Sequence, residues 1–152
     1  MRRIKDKINE IIKFLDELKS IAPSTLDEYK SNIEKKAACE RYVEKIVEAV
    51  TDLAFLVIKI KKFRMPEDDI DAFNILLDNN IISTDLSTKL KKAKGMRNII
   101  AHEYGDIDDG IIFESITKEL GIDCKKFIQE VEALLNKWIM SPSYIYNIEN
   151  KQ

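Results

Sequence analysis

Histidine occurs once in this chain of 152 residues, and cysteine (two), proline (three) and glycine (four) are hardly commoner. Each scarcity excludes something. So few glycines and prolines cannot serve a turn-rich β fold, and with Lys, Glu, Leu, Ile and Asp abundant the balance is that of long helices. Cys39 and Cys124 stand far apart in no Cys-x-x-Cys pattern, and one histidine cannot complete a Cys/His zinc set within one chain. No metal site is expected, and both thiols read as reduced core residues. The longest unbroken apolar run, Leu53 to Ile58, is far short of a membrane span. Met1-Arg2-Arg3-Ile4-Lys5-Asp6 opens a charged amphipathic segment without the apolar stretch of an export signal. A cytoplasmic protein with no membrane contact is expected. Charge of one sign is lacking too: 25 Lys and Arg stand against 27 Asp and Glu, so any electrostatic site is local.

What is present is helical periodicity on the scale of one domain, expected over 1–140 with a partly ordered tail over 141–152. Ile4, Ile8, Ile11, Ile12, Leu15 and Leu18 recur at helical spacing, and Ala22-Pro23 closes that helix. Thr25-Leu26-Asp27-Glu28 reads as a capping box, opening a long second helix from about Leu26 to near Phe63. Pro66 reads as the first residue of a third helix, ended by Asn79-Asn80. Ser83-Thr84-Asp85 offers caps for a fourth from about Leu86 to Glu103. A further helix around Ile111 to Leu120 is broken by Gly121, and Asp123 caps a last one to about Met140. The expected fold is an all-α, up-and-down bundle of five to six helices.

The second helix carries more than a stripe. Between Tyr42 and Ile60 apolar residues cover nearly the whole circumference, and such a helix must be covered all round. Two explanations stand. The other helices of the chain wrap it, or one of its faces meets a second copy in a two-fold dimer.

Chemistry-bearing residues concentrate in Arg97-Asn98-Ile99-Ile100-Ala101-His102-Glu103-Tyr104. On an ideal helix Asn98 and His102 share one face, and Arg97 and Tyr104 share another with Leu86, Leu90, Ala93 and Ile100. An arginine in an apolar stripe is costly unless something compensates it. It has an ion-pair partner, it snorkels along its stem to water, or it stands in a site where an anion supplies the missing charge. Gly95, just before it, would permit a kink that re-aims the rest of the helix. A lone histidine is more often a structural hydrogen-bonder than a catalyst; what raises His102 is its company. Lys89, Lys91, Lys92, Lys94 and Arg97 occur with no intervening acid. Such a run is usually a solvated face, but leading to an Arg, an Asn and a His it also suits a phosphodiester, with Lys91, Lys92 and Lys94 as candidate RNA contacts.

The spacing Arg-x4-His-x-Tyr at Arg97, His102 and Tyr104, with Asn98 after the arginine, resembles the signature of the HEPN superfamily, and of its HepT-like branch in particular. Glu40-Arg41-Tyr42 on a long second helix and the lead-in Gly95-Met96-Arg97-Asn98 extend the resemblance over roughly residues 1 to 140. It implies a dimerising helical bundle, the toxin of a type VII-like toxin–antitoxin module paired with a minimal nucleotidyltransferase antitoxin. It implies a metal-independent RNA endonuclease without cofactor, with Arg97, Asn98 and His102 as site residues. Tyr104 is implied as the residue that receives AMP from the antitoxin.

Metal-free RNA cleavage needs a base for the ribose 2′-OH, an acid for the departing 5′-oxygen and positive charge for the transition state. If both proton carriers are imidazoles, two copies of His102 must converge, which makes a composite site across a homodimer axis the natural arrangement. Water or Tyr104 could instead serve as the acid. The alternative function is non-enzymatic: a nucleotide-binding or regulatory subunit that serves as substrate of the nucleotidyltransferase.

Overall fold

A computed structural model of the chain describes residues 1–102 and 107–139. Tyr104 and the tail lie outside them. Among the described residues every regular element is helical, as expected: α1 (Arg2–Ile21), α2 (Leu26–Ser31), α3 (Ile33–Lys61), α4 (Asp69–Asp78), α5 (Thr84–His102), α6 (Asp109–Glu114), a π-helical turn (Ser115–Glu119) and α7 (Leu120–Ile139).

α1 follows its periodicity except at Ile12, which turns off the stripe and is 40% exposed. Ile4, Ile8, Ile11, Leu15 and Leu18 are buried, each contributing about 1.5–3 kcal/mol of transfer free energy. Ala22, before Pro23, is already extended and its N–H bonds the Leu18 carbonyl, as proline's demand on the preceding residue requires.

The long second helix divides at Asn32. Its backbone N–H bonds the Glu28 carbonyl at 2.9 Å and closes α2, while its side chain accepts from the Lys35 N–H at 3.0 Å and opens α3. The capping box is half realised. Thr25 Oγ1 accepts from the Glu28 N–H at 3.2 Å, but the Glu28 carboxylate accepts from the Ser24 N–H at 3.4 Å and pairs with Lys35 at 2.9 Å. Lys35 first, and then that N–H, hold the Glu28 carboxyl below its ordinary pKa.

Two other boundaries depart from expectation. Pro66 precedes α4 rather than starting it, because Asp68 is the cap, accepting from the Asp71 N–H at 2.7 Å. Gly121 breaks nothing and Asp123 caps nothing. α6 runs through the π-helical turn into α7, a single wide turn absorbing the change of register. Asp108 provides the N-cap of that composite helix, accepting from the Gly110 and Ile111 N–H groups.

α1 packs along α3, α3 against α5, α5 against α7, and α7 back against α1, a closed ring of four long helices. α1 and α3 are antiparallel, since Lys7 reaches Asp52 at 3.4 Å while Glu17 receives the Tyr42 hydroxyl. α4 bridges α3 and α5, and α2 packs against α6. At that junction Tyr29 is fully buried against Phe113, with ring centroids 5.7 Å apart, and Lys36 grips Asp109 at 2.9 Å. Both cysteines are buried and free, and burial pushes the Cys124 thiol up to about 12.

The chain's own helices cover most of α3. Val43, Ile46, Val47, Val50, Leu53, Ala54, Val57 and Ile58 are all buried, while Phe55, Leu56 and Ile60 stay partly open toward the carboxyl end. Among the described residues no helix is long and apolar enough to cross a membrane.

Candidate active site

α5 starts where its caps predict: the Ser83 hydroxyl accepts from the Leu86 N–H at 3.1 Å, and Asp85 lies in the first turn. It continues as α-helix through Gly95, where an added Cβ would meet no atom within 4 Å. Leu86, Leu90 and Ile100 form the buried stripe, and Ala93 packs against it.

Arg97 projects from the edge of this stripe, half-buried. Its Nε is shut off from solvent and has no hydrogen-bond partner among the described residues, and its Nη1 donates to Asn98 Oδ1 at 3.4 Å. No ion pair to a carboxylate forms there among the described residues. A guanidinium so placed keeps its charge, because arginine does not deprotonate in proteins, and donors of its planar fork remain available to an anion. Asn98 is also half-buried, and one turn on, His102 is exposed at the last residue of α5. The structure thus brings Arg97 and Asn98 into contact and sets Asn98 and His102 on one helix face. Tyr104 lies outside the described residues.

The lysine run splits. Lys92 is exposed and Lys91 half-buried, but the Lys94 side chain is only 10% exposed and its ammonium meets Asp69 at 2.8 Å. Lys94 therefore fastens α5 to the start of α4, one turn before Arg97, instead of facing a ligand. Asp69 reads from the sequence only as an acid at the start of its own helix, because the pair joins residues 25 positions apart on two helices. A groove of about 360 Å³ runs between α5 and the π-helical turn, with Lys92 and Met96 on one wall and Ile111, Lys118 and Ile122 on the other. Burial raises the pKa of Asp123 at its end. Nothing local in the sequence marks this groove, since its walls come from distant segments.

Against known families, the model described as "Ribonuclease HepT-like" matches residues 8–133. The chain belongs to the HepT-like ribonuclease family. Among relatives, the "tRNA nuclease HepT" of Aphanizomenon flos-aquae is 29% identical over 114 residues, covering 75% of this chain and 78% of that protein. The "mRNA nuclease HepT" of Shewanella oneidensis is 31% identical over 91 residues, 60% of this chain and 68% of that one. Among solved structures, a tri-AMPylated HEPN toxin of Shewanella oneidensis in complex with MNT antitoxin superposes with a TM-score of 0.80 at 25% identity. The match covers 86% of this chain and 96% of the toxin. The HEPN bundle is thus the fold of this HepT-like chain.

Proposed function

We propose that this HepT-like chain is the RNA-cleaving toxin of a two-protein toxin–antitoxin module, a metal-independent endoribonuclease silenced by AMP transfer from a nucleotidyltransferase partner. The observation that carries the reading is Arg97, half-buried at the edge of the α5 stripe, touching Asn98 and no described carboxylate, five residues before the sole histidine. The names of the relatives support it: one a tRNA nuclease, one an mRNA nuclease, and one a tri-AMPylated toxin held by an antitoxin.

In this mechanism His102 of one copy takes the proton of a ribose 2′-OH, whose oxygen attacks the adjacent phosphorus. The bond to the 5′-oxygen breaks, and His102 of the second copy gives that oxygen its proton, leaving a 2′,3′-cyclic phosphate. Arg97 holds the non-bridging oxygens as charge accumulates on them. Asn98 fixes the ribose or the imidazole, and Lys91 and Lys92 guide the RNA backbone toward the cleft. Lys94, held by Asp69, is left out of the RNA contacts.

Silencing acts at Tyr104. Its phenolic oxygen attacks the α-phosphorus of ATP, the bond to the β-phosphate breaks, pyrophosphate leaves, and the phenol proton passes to a base of the partner. The added phosphodiester brings negative charge and bulk next to the segment that carries Arg97.

Purified Arg97→Ala and His102→Ala proteins are expected to fold as the parent does and to lose about 10²–10⁴-fold in RNA cleavage, with parent cleavage unaffected by EDTA. Retained cleavage in either variant refutes the site, and abolition by EDTA refutes metal independence. Mass spectrometry after incubation with partner and ATP tests the modification, and an adduct confined to residues other than Tyr104 refutes it.

A further inference from the structure

A second opening lies away from these residues. A groove of about 750 Å³ separates the amino end of α1 from the carboxyl end of α3 and the loop after it. Its floor is apolar: Phe55, Leu56 and Phe63 are half-buried, and Met65 is 81% exposed. Its rim is cationic. Lys7 is occupied by Glu10 and Asp52, while Arg3, Lys59 and Lys62 are exposed and form no ion pair among the described residues. A chain of net charge −2 thus places positive charge, unpaired among the described residues, around an apolar opening. Lys62 also holds a left-handed backbone, φ 57, at the end of α3, where glycine would sit without strain.

We propose that this groove docks an acidic, amphipathic helix of the nucleotidyltransferase partner, an inference that rests on the two-protein reading above. Three observations select that occupant. A second copy is disfavoured, because a two-fold contact is made by the same patch on both copies and would bring one cationic rim against another. RNA would find phosphate partners on the rim, but the floor of Leu56, Met65 and half-buried Phe55 and Phe63 offers no polar group to a base edge. A helix with an apolar stripe and acidic flanks satisfies both floor and rim, and an exposed methionine adapts readily to such a stripe.

The position suits regulation. Lys36, near the other end of α3, binds Asp109 in the segment following α5, while Lys59 lies about 35 Å further along at 1.5 Å per residue. A small folded domain spans that distance, so a partner anchored here extends to the Lys36–Asp109 junction.

The test titrates the full-length nucleotidyltransferase, without ATP, into the full-length chain. Lys59→Glu/Lys62→Glu and, separately, Met65→Asp are each expected to weaken the complex at least tenfold while RNA cleavage and the mass of the free chain stay unchanged. The exposed pair Lys19→Glu/Lys30→Glu controls for net charge and is expected to bind as the parent does. Unchanged affinity in both groove variants overturns the docking, as does an equal loss in the control. Loss of RNA binding with the protein complex intact reassigns the groove to RNA, and a change in the free chain's mass reassigns it to a second copy; both overturn the proposal. If the parent forms no complex with the nucleotidyltransferase, the two-protein reading falls and the docking with it. An intact parent complex that tolerates the groove variants removes the docking alone.

Discussion

α1 and α5 are nearly equal in length, 20 and 19 residues, but they are built differently. Every buried residue of α1 is aliphatic. α5 buries Leu86, Leu90 and Ile100 alongside Ser87 and Lys94, and it half-buries Arg97. Two polar atoms of α5, Ser87 Oγ and Arg97 Nε, are buried with no hydrogen-bond partner among the described residues. An unsatisfied buried polar atom costs about 1–3 kcal/mol. α1 is thus a packing helix, whereas α5 carries a cost in stability by burying polar groups within its stripe.

Substitutions that reduce stability most should fall in the first helix, and those that reduce activity most in the second. Ile11→Ala removes a fully buried side chain and is expected to cost about 2–5 kcal/mol in urea unfolding, with cleavage per folded molecule retained. Asp69→Asn leaves the Lys94 ammonium without its carboxylate. The expected loss is about 1–2 kcal/mol, less than for a fully enclosed pair, because the Asp69 side chain is 45% exposed. Arg97→Met exchanges a half-buried cation for an apolar chain of similar reach. Stability is expected to hold or rise by up to about 1 kcal/mol while cleavage is lost, and a destabilisation as large as that of Ile11→Ala would erase the contrast between the helices. The smallest effect lies outside both. The Arg64 guanidinium first, and then the Glu67 N–H, lower the Asp71 pKa to about 2 from an ordinary 3.8. That contribution is complete above the unfolded value and disappears as pH falls through the folded one. Between pH 4 and 2 the unfolding midpoint should therefore drop more steeply in the parent than in Asp71→Asn.

The same contrast governs how much could be read from the sequence. α1 was legible apart from Ile12, which the structure leaves exposed, because one aliphatic stripe and one proline decide it. The break at Asn32 was not, since a single asparagine ends one helix with its backbone and begins the next with its side chain, and no glycine or proline announces it. Gly121 misled for the opposite reason, because the continuity of α6 and α7 rests on a π-helical turn that the sequence does not mark. The apolar circumference of α3 correctly demanded cover, but whether that cover came from the chain itself or from a second copy was a question of tertiary packing. Within α5 the half-burial of Arg97 followed from helical geometry, and the segment's resemblance to HEPN proteins is the source of the chemistry proposed for it. The withdrawal of Lys94 into a pair with Asp69 needed the fold.

The claim on which most depends is that one histidine per chain suffices because two copies share a site. Parent and His102→Ala chains, mixed at equal amounts and allowed to exchange subunits, decide it through RNA cleavage at constant total protein. With both histidines required, only parent pairs cleave, and random pairing leaves about a quarter of the parent rate. A rate of about half would mean that each copy works alone in a mixed pair, and would contradict a site built from both.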